Sequence, residues 1–580
     1  MSDIPDGSSS DDRSDAKRAL DDALAQADKS GKTRRRRRTI GIAAVAVVAV
    51  GAAIWGGIAA LPGDTDAEAA TTADKEGGTL IYLDAEASVS TQPQGAGTWQ
   101  DSAYLENITD RLVWKNPETA EIEPYIAEKW DISDDGKTYR FWIRDGVTYS
   151  DGTSLDAENV KRNLEWQANG DEENGIQPST SWPELDDITV DDNVVTVQLA
   201  TPYASFLEVL SGWASSLVAD QTIDAPLETQ QQITGIIGSG PFTVESETYG
   251  ESIVFVKREG YDWAPPSAGH QGEAYLDRVE VHAVTDDTAR LGAFRSDQAD
   301  VIRYIQPTDE KQLTADGDYQ VIAAQGLGAT NQWYLRLSVP ALQDVRVRQA
   351  LQSGINRQQI IDELYTDNWQ VAKSVVTEDT FGFKDESDKL VYDPDKSNEL
   401  LDEAGWTERD ADGYRTKDGE RLTLHTVIDV YDSTAKPLYQ LVQAQLKTLG
   451  IELDLREADY SQVSEAYSAE DVAATRSGWP YPAPWVTLNT AWNTEKTNAF
   501  KLEEGEDPTL DDLLAKQAVA TDDTERAELL GQLQDYVIDQ AYTLPIIKDS
   551  QIFAVQNRIH DFGFSAEARP LFYNVWTEAK

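Results

Sequence analysis

The chain has 580 residues, of which 40% are hydrophobic and 9% aromatic, and it carries a formal net charge of −53. This length and apolar content predict two or more domains with cores of their own, whereas the acidic surface excludes DNA or RNA as a partner because it repels phosphate. We interpret the acidic excess as a solubility surface rather than as an attraction for cationic solutes. The absence of cysteine excludes disulfides and thiolate metal sites, and the four histidines are not spaced as zinc ligands. We therefore expect no cofactor.

The N-terminal region predicts a membrane anchor. Residues 1–33 are polar and charged, which is typical of a disordered tail. A run of arginines then precedes the uncharged apolar stretch 39–61, which as a helix would measure about 35 Å and cross a bilayer. Arginines before the stretch and acids after it place the tail in the cytoplasm, so we assign 34–61 to the basic flank and transmembrane helix and 62–77 to a linker. The alternative is a signal peptide that is cleaved near Ala69, which would release the protein.

The first half of the folded body reads as strands interrupted by turns. It begins near Gly78 with a short apolar strand. Between residues 124 and 160, polar and apolar residues alternate around Asp-Gly turns, which predicts a hairpin followed by a helix that Asp156 caps. Residues 185–199 predict two further strands, and residues 275–300 predict a strand followed by a helix.

The second half alternates between strands and amphipathic helices. Apolar residues recur at helical spacing in some segments and at every second position in others. The predicted elements are a strand at 331–337, helices at 344–351 and 392–406, a hairpin at 413–427, a helix that ends at Leu449, a strand at 451–455 and a helix at 521–539. This alternation favours an α/β architecture with mixed sheets.

Four motifs in this body can be compared with known families. They are the hairpin unit PYIAEKWDISDDGKTYRFWIRDGVTYSDGTSLDAENV at 124–160, GSGPF at 238–242, DVRVRQAL at 344–351 and YDPDKSNELLDEAGW at 392–406. In this order they resemble the large solute-binding proteins of ABC importers, the oligopeptide/dipeptide-binding class known as bacterial extracellular solute-binding protein family 5.

The resemblance implies a two-lobed, periplasmic-binding-protein-like (Venus flytrap) α/β fold. Lobe I would comprise residues 78–325 and lobe II residues 326–545, and residues 546–580 would return to lobe I. Such a protein would be a monomer outside the cell membrane that encloses a small peptide or peptide-like solute and delivers it to an ABC permease and its ATPase. Metal chelates, opines and glycosides are the alternative solutes, and a surface sensor on the same fold is the alternative role.

Aromatic and amide side chains are the predicted solute contacts, because stacking and cation–π interactions suit flat or charged solutes. The Pro-rich segment 479–485 is held out of regular structure, and loops of this kind commonly carry function. The predicted contact residues are Trp99, Gln100, Tyr104, Asn331, Trp333, Trp479, Tyr481, Trp485 and Asn489. Of these, Trp479 has a family counterpart in a Gly-Trp pair, but the aspartate that follows it in peptide binders is missing here.

Enzymatic activity is not expected. A hydrolase needs a positioned nucleophile, base or metal, and the sequence contains no Gly-x-Ser-x-Gly motif. Two segments, at 131–142 and 408–419, begin like calcium loops but lack the glutamate that closes such a loop. We interpret both as turns.

Overall fold

The computed structural model of the chain describes residues 75–96, 98–429, 435–458, 460–478, 481, 483–494 and 498–578. The predicted tail, the predicted transmembrane helix and most of the predicted linker lie outside the described residues. Within the described ranges, no helix is both long enough and apolar enough to cross a membrane.

A seven-stranded mixed sheet forms the centre of lobe I. Thr79–Asp84 pairs in parallel with Arg278–Ala283 on one side and with Val301–Arg303 on the other. Its sequence is almost continuously apolar, as expected for a strand that is covered on both faces. In sheet order, the strands are Tyr319–Ala324, Gln551–Gln556, Val301–Arg303, Thr79–Asp84, Arg278–Ala283, Ser252–Lys257 and Phe242–Thr248.

Lobe I contains a second, antiparallel sheet. Residues 185–199 supply two of its strands, and the hairpin unit at 124–160 supplies the other two. The turn of this hairpin contains Gly136 at φ +67°, a left-handed conformation that glycine adopts without strain. The following helix, Ala157–Asn169, begins where the Asp156 carboxylate accepts a hydrogen bond from the Asn159 backbone N–H at 3.0 Å. The predicted turn and the predicted cap are therefore confirmed. In sheet order, the strands are Ala127–Ile132, Thr138–Ile143, Val194–Leu199 and Leu185–Asp191.

Helices and short ribbons complete lobe I. The α-helices are Trp99–Leu105, Ala157–Asn169, Phe206–Ser211, Asp220–Ile223, Leu227–Gln230, Asp287–Arg295 and Pro307–Asp316. The 3-10 turns are Pro93–Gly95, Trp213–Ser215 and Ile233–Gly235. The two-stranded ribbons pair Val113–Lys115 with Ile122–Pro124, Ile559–His560 with Trp576–Thr577, and Gly563–Phe564 with Pro570–Leu571.

A six-stranded mixed sheet forms the centre of lobe II, with Asn331–Leu335 in an interior position and fully buried. In sheet order, the strands are Gln370–Val371, Thr543–Lys548, Asn331–Leu335, Val472–Ser477, Thr423–Asp429 and Glu452–Ala458. A separate three-stranded sheet consists of Glu408–Arg409, Arg415–Lys417 and Glu420–Arg421. A 3-10 turn spans Ser387–Lys389. The α-helices are Pro340–Gln343, Val345–Gly354, Arg357–Leu364, Pro394–Glu403, Ala435–Leu449, Tyr460–Ser468, Pro484–Trp492, Pro508–Val519 and Asp523–Asp539.

The chain passes between the two large sheets twice. Tyr319–Ala324 belongs to the sheet of lobe I and Asn331–Leu335 to that of lobe II. On the return, Thr543–Lys548 still pairs with lobe II, and Gln551–Gln556 pairs with lobe I. The predicted return point at residue 546 falls inside the first of these strands, so the structure moves the crossing to Asp549 and Ser550.

Candidate functional site

The two lobes touch each other at both ends of their interface. At one end, the buried carboxylate of Glu310 in lobe I accepts hydrogen bonds from Thr366 and Asn368 of lobe II, both at 2.6 Å. At the other end, Arg526 of lobe II donates to the Ser205 hydroxyl at 2.5 Å and lies 4.0 Å from the Glu208 carboxylate. The described conformation therefore has polar contacts between the lobes at both places.

The Arg526 contact provides a direct test of what holds the lobes together. Replacing Arg526 with Ala removes a charged hydrogen bond of about 1.5–3 kcal/mol, so we expect the solute-free protein to open and its radius of gyration to increase. Small-angle X-ray scattering measures this change. Lys516→Ala is the matched control, because Lys516 pairs with an exposed carboxylate, Asp512, on its own helix. An unchanged scattering curve for the Arg526 variant would contradict a closing role for this residue.

Trp99 forms a rigid platform on lobe I. It is the first residue of the helix Trp99–Leu105, which begins with a capping box between Thr98 and Asp101. The Asp101 carboxylate also accepts hydrogen bonds from the backbone of Val89 at 2.7 Å and of Ser90 at 3.0 Å. The start of the helix is thereby tied to the preceding loop, and the indole of Trp99 is held in place at 7% exposure.

Two guanidinium groups lie against the Trp99 ring. The Cζ atom of Arg303 is 4.0 Å from the ring centroid, and that of Arg569 is 5.2 Å away. Arg569 also lies 5.1 Å from the ring of Trp213. These are cation–π distances, and each such contact contributes about 0.5–2 kcal/mol. We call Trp99, Trp213, Arg303 and Arg569 the Trp99 cluster.

Asp84 neutralises Arg303. Its carboxylate accepts hydrogen bonds from Arg303 at 2.7 and 2.8 Å and from the hydroxyls of Tyr82 and Tyr104, both at 2.9 Å. Burial disfavours the charged form of Arg303, but the carboxylate outweighs this effect and holds the pKa of Arg303 above its usual range. Tyr104 therefore supports the site from within the core, where it is 1% exposed.

The counter-charges of Arg569 are weaker, because Glu106 and Glu567 favour its charged form without forming an ion pair with it. It donates to the Ser102 hydroxyl at 2.8 Å and to the Glu567 carbonyl at 2.6 Å, and it forms no ion pair within the described part of the chain. Burial lowers the pKa of Arg569 to about 10, which still leaves it charged at neutral pH. A buried, unpaired cation is costly, so an anionic group bound beside Arg569 would be strongly favoured.

Lobe II approaches this cluster through Tyr481. The Tyr481 backbone N–H donates to the Leu327 carbonyl at 3.2 Å, and the Leu327 N–H donates to the Ala566 carbonyl at 2.8 Å. Ala566 is close in sequence to Arg569. Burial raises the pKa of Tyr481, and the nearby charge of Arg569 partly offsets the increase. Tyr481 and Arg569 therefore lie on opposite lobes within electrostatic reach of each other.

Asn331 is occupied by polar partners at the crossing between the lobes. Its amide donates to the two carboxylate oxygens of Asp549 at 3.1 and 3.3 Å, and its oxygen accepts from Arg476 at 3.1 Å. Gln100 donates to the Glu86 carboxylate at 2.5 Å beside Trp99. Asn489 is half-buried on a helix, and its carbonyl caps the helix end at Asn493.

Two of the predicted contact residues belong to the core of lobe II instead. Trp333 is 2% exposed and stacks on Tyr439 with a centroid distance of 4.8 Å, because its strand is covered on both faces. Trp485 is 1% exposed, and its indole N–H donates to the Phe381 carbonyl at 2.7 Å. The helix Pro484–Trp492 turns this residue toward its neighbouring helices. Trp479 lies outside the described residues.

Sequence reasoning missed three members of the Trp99 cluster, namely Trp213, Arg303 and Arg569. The two arginines come from distant parts of the chain, and no local spacing distinguishes them from other arginines. The position of Arg303 at the end of a buried strand is the one local signal, since polar residues at strand ends often line sites in α/β folds. In the part of the chain that the structure describes, no group of His, Asp or Glu side chains is arranged to hold a metal ion.

Comparisons with known sequences agree with this architecture. A family model described as "Bacterial extracellular solute-binding proteins, family 5 Middle" matches residues 121–499. The dipeptide-binding protein of Escherichia coli K12 is 25% identical over 536 residues, which cover 86% of this chain and 95% of the relative. Heme-binding protein A of Haemophilus influenzae is 24% identical over 530 residues, covering 87% of this chain and 93% of the relative.

Solved structures show the fold. NikA from Brucella suis in complex with Fe(III)-EDTA matches with a TM-score of 0.74 at 21% identity, covering 86% of this chain and 100% of that one. DppA from Helicobacter pylori in complex with the peptide STSA matches with a TM-score of 0.72 at 22% identity, covering 87% and 99%. The predicted mixed α/β, two-lobed periplasmic-binding-protein fold is confirmed for the body of the chain.

Proposed function

This chain belongs to the bacterial extracellular solute-binding proteins of family 5, and on that premise we propose that it captures peptides or peptide-like solutes between its lobes and delivers them to an ABC importer. The permease and its ATPase are then its partners, and the solute leaves chemically unchanged. The relatives described above include proteins named for dipeptides and for heme, so the family alone does not decide the solute.

The buried guanidinium of Arg569, which forms no ion pair within the described residues, is the observation that carries the peptide proposal. It lies between two indole rings on lobe I and faces Tyr481 of lobe II. A peptide brings a terminal carboxylate that can pair with the guanidinium. Closure of the lobes over the peptide would then remove this ion pair from water and strengthen it.

The remaining parts of the proposal concern where the protein acts. Residues 34–61 hold the body outside the cell membrane as a monomer, or the chain is released after cleavage near Ala69. Trp99, Gln100, Tyr481, Asn489 and Trp479 remain proposed contacts. Metal chelates, opines and glycosides remain alternative solutes, since no aspartate follows Trp479 to pair with a peptide amino group, and a surface sensor on this fold remains the alternative role.

Stabilisation by peptides tests the function. At a free concentration of 100 times Kd, a bound solute adds about 2.7 kcal/mol to the free energy of unfolding, so we expect a clear rise in Tm with at least one member of a panel of dipeptides and tripeptides. Mass spectrometry of the recovered solute should return the intact peptide. A rise in Tm with metal chelates or glycosides but with no peptide would favour the alternative solutes, and shortened peptides would indicate a hydrolase.

A further inference from the structure

Lobe I contains a cavity whose lining residues include no member of the Trp99 cluster. Its volume is about 430 Å³, which lies within the range of small-molecule sites. Every residue that lines it lies between Glu106 and Gln325 or between Gly563 and Asn574, so the cavity belongs to lobe I and to the start of the first crossing.

The cavity contains a buried guanidinium that lacks partners. Arg111 is 2% exposed, and its Nε and Nη1 atoms have no hydrogen-bond partner within the described part of the chain. The Arg111 guanidinium lies against the Trp114 ring, with its Cζ atom 5.2 Å from the ring centroid. Arg111 therefore lines the cavity and has two buried nitrogens without partners, an arrangement that a bound anion would stabilise.

Two carboxylates also line this cavity, the exposed one of Glu118 and that of Glu106. Glu106 is 5% exposed, and its Oε2 atom has no hydrogen-bond partner within the described residues. Burial is the main cause that raises the pKa of Glu106 to about 7, and Glu567 adds to the increase. The charges of Arg111 and Arg569 and a hydrogen bond with Ser565 act in the opposite direction. Below pH 7, Glu106 is therefore protonated and can donate a hydrogen bond to an anion beside Arg111.

Aromatic rings make up much of the remaining wall. The hydroxyls of Tyr125 and Tyr261 contact each other at 3.1 Å, and that of Tyr573 donates to the Gly272 carbonyl at 2.8 Å. Since these hydroxyls are occupied, the tyrosines offer their rings to the cavity rather than their polar groups. Trp114 packs edge-on against Tyr125 with a centroid distance of 5.8 Å. These surfaces suit a flat apolar body.

We propose that this cavity is a second ligand site that binds a small aromatic monocarboxylate, with Arg111 as the counter-charge of the carboxylate and the aromatic wall around the ring. The neutral acid form of Glu106 completes the site below pH 7. Above that pH, ionised Glu106 repels the ligand, so binding weakens as the pH rises.

Benzoate is the probe that tests this site, and benzamide is its neutral control. Equilibrium dialysis of the full chain with radiolabelled benzoate at pH 6 should show saturable binding that benzamide does not compete for. We expect Arg111→Gln to weaken benzoate binding about tenfold or more, since it removes charged hydrogen bonds. Ala268→Phe, which fills the cavity from its half-buried edge, should abolish binding without removing a charge.

The pH dependence separates this site from non-specific attraction. Benzoate affinity of the unmodified protein should fall between pH 6 and pH 8, whereas Glu106→Gln should retain at pH 8 the affinity that it has at pH 6. The Tm of each variant is measured alongside, so that loss of folding is not mistaken for loss of binding. No saturable benzoate binding, or binding that survives both Arg111→Gln and Ala268→Phe, would overturn the proposal.

Discussion

Replacing Asp84 with Asn is expected to lower the free energy of unfolding by about 3–5 kcal/mol, because it leaves the buried charge of Arg303 without its counter-charge. Asp84 is fully buried and Arg303 is 3% exposed, so water cannot take over the lost interaction. The hydroxyls of Tyr82 and Tyr104 would also lose a charged acceptor. Urea unfolding of the full chain, followed by tryptophan fluorescence, measures the change.

An exposed ion pair provides the matched control for this substitution. Asp512 pairs with Lys516 at 2.6 Å, but both side chains are more than half exposed, so Asp512→Asn should cost less than about 0.5 kcal/mol. The double variant Asp84→Asn, Arg303→Met should recover part of the lost stability, since it removes the unpaired charge. If Asp84→Asn unfolds at the same urea concentration as the unmodified protein, Asp84 is not the group that neutralises Arg303.

Replacing Arg569 with Gln is expected to act on solute affinity rather than on stability. If a solute carboxylate pairs with this guanidinium in the closed protein, its removal costs about 2 kcal/mol or more, which is about 30-fold in Kd. The free energy of unfolding should not fall by a comparable amount, because the substitution removes a buried charge that forms no ion pair within the described residues. Isothermal titration calorimetry with a peptide that stabilises the protein measures the affinity.

Amidation of the peptide isolates the carboxylate contact. The unmodified protein should bind the free peptide more tightly than its C-terminal amide, whereas the Arg569→Gln variant should bind the two about equally. Arg569→Lys keeps the charge and should retain most of the preference for the free acid. If Arg569→Gln weakens the acid and the amide to the same extent, Arg569 supports the shape of the site and does not pair with a carboxylate.

Local sequence patterns were sufficient for the elements and for several of their caps. The Asp156 cap and the Gly136 turn follow from a few neighbouring residues. The helix predicted at 344–351 is present as Val345–Gly354, and its Arg348 donates to the backbone carbonyls of Leu342, Gln343 and Gln540. Ordered motifs over the whole body also predicted the family and its mixed α/β fold.

The sequence by itself thus determined the architecture, because strand alternation, helical spacing and turn residues depend only on residues that are close together in the chain. Only the tertiary structure decided what each buried aromatic side chain contacts. Trp333 and Trp99 are equally apolar, yet Trp333 stacks inside lobe II while Trp99 supports two guanidinium groups. That difference arises because Arg303 and Arg569 are distant from Trp99 in the sequence and contact it only in the folded chain. No local sequence pattern predicts such a contact.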